Sequence, residues 1–170
     1  MRSKSDAGAM METRMPLDSL PRLGPFTVDD HGRLIPTTDG RFPAFNLRWR
    51  GHGVDVAMER MQGDRGILAI ALRAGMVGST ADDAPERSQP RRDEAFATVR
   101  GLASLLPQAW QMELSADHGV RLLAHVALDM PASATALLTD VTLVLLTAAP
   151  YLDVLAEAGV APGKVNTCPG

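Results

Sequence analysis

Apolar and polar residues alternate along the first half of the chain, as they do in β-strands. Phe45, Leu47 and Trp49 are separated by polar residues, and the same alternation resumes at Val54 and continues through Val56. A period of two places alternate side chains on one face of a strand. The pattern therefore predicts two strands, each with one apolar face.

The segment between these strands predicts their register. Gly51, His52 and Gly53 form a turn-like connection, and a hairpin around it places Arg50 opposite Asp55 and Trp49 opposite Val56. That register sets apolar beside apolar residues and pairs opposite charges. We expect an antiparallel hairpin with this pairing.

Two further regions predict strands. Residues 26–28 and 33–35 flank a polar turn that contains glycine, which is typical of a short hairpin. Residues 67–72 are apolar at every position, as expected of a central strand buried on both faces. The glycine-, serine- and proline-rich residues 76–90 then predict a mobile loop.

The second half of the chain predicts helices around a hairpin. Apolar residues recur every three or four positions over 91–106, and Pro107 ends that pattern. Residues 111–115 and 120–128 form the next hairpin. A second helix opens at Pro131 and runs to about Ala149, where Pro150 kinks or ends it. The predicted fold is α+β, an antiparallel meander in the order strands–helix–hairpin–helix, with the long C-terminal helix packed on the sheet.

The last helix has more apolar residues than one face can hold. One stripe faces the sheet and comprises Leu137, Val141, Val144, Leu145 and Ala148, whereas Leu138, Leu143 and Leu146 lie off it. A helix that is apolar nearly all round is covered on two sides. The second cover is another helix, the N-terminal arm or a second subunit. We expect a homodimer with Leu138, Leu143 and Leu146 at the interface.

Composition and charge exclude several classes of protein. The chain has 170 residues, 45% of them hydrophobic, and a net charge of −3, so nucleic acid has no electrostatic support as a partner. Residues 141–152 form the most apolar run and are shorter than the roughly 20 residues that a membrane span needs. No targeting segment is visible. We expect a cytoplasmic protein with no membrane partner, comprising a flexible or partly helical arm at 1–25, one domain at 26–160 and a tail at 161–170.

The sequence Asp-His-Gly occurs twice, at 30–32 and 117–119, each time in a predicted hairpin turn. Turn chemistry explains both copies, since aspartate bonds nearby backbone and glycine accepts positive φ. The alternative is that Asp30, His31, Asp117 and His118 form a metal or catalytic cluster. Nucleophile-elbow, zinc-protease and phosphate-loop motifs are all missing from the sequence, which leaves no residue with a reason to be called catalytic. We expect no enzyme and no cofactor.

The face that carries Phe45, Leu47 and Trp49 has two interpretations. It is a core face under a helix, or it is an exposed groove for another polypeptide. Both this strand face and the last helix therefore carry apolar side chains for which the sequence does not identify the packing partner.

The arrangement from Phe45 to Leu155 resembles the class I type III secretion chaperones and their relatives of unknown function. The similarity includes the Leu-x-Trp strand at 47–49, the apolar strand at 67–72, a Trp-x-Met-x-Leu strand at 110–114 and a C-terminal helix ending near Leu152. It implies a small non-catalytic homodimer that binds an extended segment of a secreted client, with Phe45, Leu47 and Trp49 as candidate contacts. Prolines at 16, 21 and 25 depart from the family's N-terminal helix. The alternative is a small ligand- or metal-binding domain, or an enzyme, using the Asp-His-Gly turns.

Overall fold

Nine strands and two helices make up the parts of the chain that the computed structural model describes, which are residues 22–23, 26–35, 44–62, 65–78 and 85–162. The strands are β1 (Arg22–Leu23), β2 (Phe26–Val28), β3 (Leu34–Ile35), β4 (Ala44–Trp49), β5 (His52–Gln62), β6 (Arg65–Val77), β7 (Trp110–Leu114), β8 (Gly119–Asp129) and β9 (Val160–Ala161). The helices are α1 (Pro85–Ala103) and α2 (Ala134–Glu157). Of the predicted arm at 1–25, Arg22–Leu23 form a strand, and residues 1–21 lie outside the described residues, as do 163–170 of the predicted tail.

The main sheet has the strand order β4-β5-β6-β8-β7, and every pairing in it is antiparallel. Strand β9 pairs with the last residues of β6, and β1, β2 and β3 form a separate small sheet. Helix α2 packs on the main sheet through its apolar stripe. The predicted α+β class and the order strands–helix–hairpin–helix are confirmed.

The hairpin of β4 and β5 forms as predicted but in a different register. Trp49 lies opposite His52 instead of Val56, and Asp55 lies opposite Asn46 instead of Arg50. The turn is a tight pair, Arg50 and Gly51, with φ of 50° and 85°. Two consecutive turn residues with positive φ match the right-handed twist of the paired strands. The two-residue turn therefore forms instead of the predicted longer connection through Gly53. The observed pairing is shifted from the predicted pairing by an even number of residues, so each side chain remains on its predicted face of the sheet.

Strand β6 is central, as predicted, but it is buried on one face only. Leu68, Ile70 and Leu72 are buried, whereas Ile67, Ala69 and Ala71 are half-buried. Both helices pack on the first set. The expectation of burial on two sides is therefore wrong, because the chain supplies no described helix for the second face.

We call the helix-free side of the main sheet the open face. Cross-strand register places these residues on it: Asn46, Arg48, Asp55, Ala57, Ile67, Ala69, Ala71, Arg73, Arg121, Leu123 and His125. The other side, the covered face, supplies most of the core together with α2. Its most buried members include Val54, Val56, Met58, Leu68, Ile70 and Leu122.

The helices begin earlier or later than predicted. Helix α1 starts at Pro85, so the predicted loop at 76–90 is shorter at both ends; β6 continues to Val77. Residues 79–84 of that loop lie outside the described residues. Helix α2 starts at Ala134 instead of Pro131, because the side chain of Ser133 accepts a hydrogen bond from the N–H of Ala136 at 3.1 Å and caps the helix.

Pro150 neither ends nor interrupts helix α2, which runs continuously to Glu157. Proline removes one backbone hydrogen bond, here the bond to the carbonyl of Leu146. Both residues are exposed, so the carbonyl that loses its partner lies on the side open to solvent. The stretch after Pro150 still packs, since Leu152 and Leu155 are buried in the core.

Candidate functional site

Phe45, Leu47 and Trp49, the predicted partner contacts, lie on the covered face of β4. All three are half-buried and pack against the core. Strand β4 is also the last strand on its side of the main sheet, so its outer edge has no partner strand among the described residues. The three side chains therefore contribute partly to the core, and they also lie at the edge of the sheet.

The side chain of Arg50 covers part of the Trp49 ring. The guanidinium of Arg50 lies 5.5 Å from the centre of the Trp49 ring. The same guanidinium donates a hydrogen bond of 2.7 Å to Asp153 on α2. This contact ties the β4–β5 turn to the helix, and it takes the place of the expected pairing of Arg50 with Asp55.

Leu138, Leu143 and Leu146, the predicted dimer contacts, are 52%, 57% and 60% exposed. The predicted sheet-facing stripe is buried in full. We call the three exposed residues the outer leucines. Among the described residues, α2 is the one helix with the length and composition to cross a membrane, and 33% of its most apolar window is buried.

Two threonines beside the outer leucines use their hydroxyl protons within the helix. Thr142 donates its hydroxyl to the carbonyl of Leu138 at 2.7 Å, and Thr147 donates to the carbonyl of Leu143 at 2.8 Å. Both hydroxyl protons are therefore used within the helix. At these two positions the outer side of α2 is less polar than the residue type indicates.

A second apolar surface lies between α1 and β7. Phe96, Val99, Met112 and Leu114 line a groove of about 410 Å³. Asp93 and Arg100 also line it, seven residues apart on the helix. Strand β7 is the other edge strand of the main sheet as far as the structure describes it, so the groove runs beside a sheet edge.

A polar cavity of about 690 Å³ lies at one end of the open face. It is bounded by the β4–β5 turn, the β7–β8 turn and the residue after β9. Its charged lining residues are Arg48, Asp55, Arg73, Asp117 and Arg121. None of the three arginines belongs to a sequence motif, so local sequence patterns do not predict their place in one cavity.

Arg73 and Asp55 form an ion pair in this cavity. Both Nε and Nη2 of Arg73 donate to Oδ2 of Asp55, at 3.2 Å and 2.8 Å. The carbonyl of Arg73 lies 3.1 Å from Nδ1 of His52. The side chain of His52 is half-buried at this position.

The β7–β8 turn holds the second carboxylate of the cavity. The hydroxyl of Ser115 donates to Asp117, and with the backbone N–H groups of Asp117 and Gly119 it lowers the pKa of the Asp117 carboxyl. Nearby Arg121 lowers it further. His118, not Gly119, takes the left-handed conformation in this turn, with φ of 63°.

The two Asp-His-Gly turns lie at opposite ends of the main sheet. Leu34, just after the first turn, bonds to Ala132 beyond the end of β8, whereas the second turn precedes the start of β8. Strand β8 has 11 residues and is roughly 35 Å long at the usual rise. The four residues of the two turns therefore cannot share one site.

Each turn uses its polar groups locally. In the first turn the side chain of Asp29, not Asp30, accepts the backbone N–H groups of His31 and Arg33, at 2.9 and 2.7 Å. In the second, Nε2 of His118 lies 3.0 Å from Nη2 of Arg92. The part of the chain that the structure describes contains no group of three or more histidine, cysteine, aspartate or glutamate side chains arranged to hold a metal ion.

Comparison with known proteins adds no relative to this geometry: no family model, no curated protein and no solved structure matches the chain. The site must be interpreted from its own residues. Three surfaces stand out: the outer leucines, the β4 edge and the polar cavity.

Proposed function

We propose that this protein is a non-catalytic, cytoplasmic homodimer that binds an extended polypeptide, a role similar to that of the class I type III secretion chaperones. The observation that carries the proposal is the exposure of Leu138, Leu143 and Leu146 on a helix whose opposite side is fully buried. The client is an apolar segment of a partner protein. The dimer and the client use different surfaces.

The outer leucines support self-association. Burying one leucine side chain is worth about 1.5–3 kcal/mol, a large part of the 5–15 kcal/mol that stabilises a typical domain. The hydroxyls of Thr142 and Thr147 donate to carbonyls of the helix itself, so burying these two residues leaves no hydroxyl proton without an acceptor. A two-fold axis lets one apolar patch cover its own copy.

The outer edge of β4, which pairs with no strand that the structure describes, supports polypeptide binding. An extended segment adds to an exposed strand edge through backbone hydrogen bonds, and its side chains use pockets on either face for specificity. Phe45, Leu47 and Trp49 line that edge on the covered face and remain half-buried. Their partly exposed apolar surface would receive alternate side chains of the client.

Sedimentation equilibrium at micromolar concentration tests the dimer. We expect a dimer for the full chain and a monomer for Leu143→Asp or Leu146→Asp, because a charge at either position opposes burial. Leu105→Asp is the matched control, since Leu105 is 69% exposed and lies outside α2. A monomeric full-length chain contradicts the dimer, and a dimer that survives both α2 variants moves the contact to another surface, such as the groove beside β7.

Fluorescence anisotropy with a labelled, permanently unfolded polypeptide tests client binding separately. We expect Leu47→Asp to weaken binding at least tenfold, about 1.4 kcal/mol. Ala44→Asp is the control, because Ala44 is exposed on the open side of the same strand. Circular dichroism shows that both variants remain folded. Equal binding by both variants contradicts a role for the Phe45–Trp49 face.

A further inference from the structure

Three arginines form one row across the open face, on the opposite side of the sheet from Phe45, Leu47 and Trp49. Arg48 pairs with Gly53 on β5, and Arg73 pairs with Arg121 on β8. The row continues across Gly53, since a Cβ at that position would lie 3.5 Å from Cδ of Arg73. Arg73 therefore extends over the glycine toward β4.

The charges in this row are unequally balanced. Arg73 is paired with Asp55, whereas the side chains of Arg48 and Arg121 form no hydrogen bond or ion pair within the described residues, although Arg121 lies near Asp117. Asp117 already accepts the hydroxyl of Ser115 and two backbone N–H groups. The cavity lining carries three arginines and two aspartates, so it is positive in a chain whose net charge is −3.

Like charges directly opposite each other on neighbouring strands are destabilising, and Arg73 and Arg121 form such a pair. Asp55 offsets the charge of Arg73, and Glu113 lies opposite Arg121 on β7. The guanidinium groups that remain unpaired are planar and suited to bidentate contact with carboxylate or phosphate oxygens. The cavity volume of about 690 Å³ is in the range of small-molecule sites.

We propose that this cavity binds a small organic anion with at least two negatively charged oxygen groups, one held by Arg48 and the other by Arg121. Strands lie about 4.8 Å apart, and three such intervals separate β4 from β8. Two groups on one ligand therefore suit the row better than a single ion. Arg73, held by Asp55, forms the middle of the site. This proposal does not depend on polypeptide binding.

Isothermal titration calorimetry at low ionic strength tests the site, with citrate as the carboxylate probe and inorganic pyrophosphate as the phosphate probe. We expect saturable binding of at least one probe, and which one binds identifies the chemistry of the ligand. Arg48→Gln combined with Arg121→Gln should weaken binding at least about tenfold, because both anchoring contacts are lost. Arg65→Gln, at the far end of β6 and 80% exposed, should leave binding unchanged.

A gain of binding provides the sharper test. Asp55→Asn frees the guanidinium of Arg73, and we expect affinity to rise by about tenfold, the equivalent of one added charge-assisted contact. Asp129→Asn changes the net charge equally but lies beside Arg65 at the other end of the sheet, so it should have no such effect. Equal tightening by both variants, or no saturable binding of either probe, overturns the proposal.

Discussion

The two faces of the main sheet are built from the same strands, yet they differ in burial and in charge. On β6, Leu68, Ile70 and Leu72 are at most 2% exposed and lie under the helices. The residues between them, and Arg73 after them, lie on the open face. Among described residues the one buried polar side chain is Thr27, which is outside this sheet.

Because of this difference, the covered face contributes most of the stability, and the open face is available for binding. The covered face and α2 exclude water and supply the hydrophobic free energy that holds the fold. The open face carries small apolar residues and charges, so substitution there costs little stability. A sheet of this kind can change the chemistry of one face without unfolding the other.

A matched pair of isoleucines on one strand gives the largest expected contrast between the faces. Ile70→Ala removes a side chain that is 1% exposed and should lower the free energy of unfolding by about 2–5 kcal/mol. Ile67→Ala, on the open face, should cost about 1 kcal/mol or less, since the side chain is only half-buried and has no helix packed on it. Urea unfolding measures both. Similar losses would show that the open face is covered in solution, for example by a second copy.

A pair of glycines beside the cavity should give an intermediate effect. At Gly75 φ is 153° and a Cβ would lie 2.3 Å from the carbonyl oxygen of Ala161, so Gly75→Ala should displace β9 and cost about 1–3 kcal/mol. Gly53→Ala meets only an ordinary contact with Arg73 and should change stability by about 0.5 kcal/mol or less. Faster amide exchange at Val160 in the first variant alone would confirm the displacement of β9. No difference between the two variants would contradict it.

The smallest expected effect is a pH dependence at the edge of the cavity. The Ser115 hydroxyl lowers the pKa of Asp117 below its ordinary value of 3.8. A lowered pKa in the folded state stabilises the fold above that ordinary value, and the contribution disappears as pH falls through the folded pKa. Ser115→Ala should therefore raise the pKa of Asp117 in a carboxyl NMR titration, and its small stability loss should be present near neutral pH and vanish in acid.

Ser104→Ala is the control for this titration. Ser104 donates to the carbonyl of Gly101, with no carboxylate involved, so its stability effect should not depend on pH in the acid range. An unchanged Asp117 pKa in Ser115→Ala would show that backbone N–H groups alone hold the carboxylate.

The hairpin of β4 and β5 shows what alternation can and cannot predict. The period of two places Phe45, Leu47 and Trp49 on one face in either register, since an even slip conserves the face. The choice of register depends on the turn, and the backbone twist favours the two-residue turn at Arg50 and Gly51. Partners of Arg50 and Asp55 follow from that choice and from tertiary contacts: Asp153 on α2 and Arg73 on β6.

The candidate site was less predictable than the fold. The outer leucines could be identified because helical periodicity shows which residues lie off the buried stripe, and their exposure agrees with that expectation. The arginine row could not be identified from the sequence. Arg48, Arg73 and Arg121 are distant in sequence, and only the order of the strands in the sheet brings them together. The expected burial of residues 67–72 on both faces was wrong because apolar composition predicts low affinity for water but not the presence of a covering element.

By itself, the sequence determined the type of each main element and the face that each strand residue occupies, because both follow from the local periods of strand and helix. It also determined that α2 carries more leucine than one sheet can cover. The tertiary structure decided the strand order β4-β5-β6-β8-β7, the register of the first hairpin and the pairing of Arg73 with Asp55. Those features depend on which distant segments pair, and local periodicity contains no information about distance between segments.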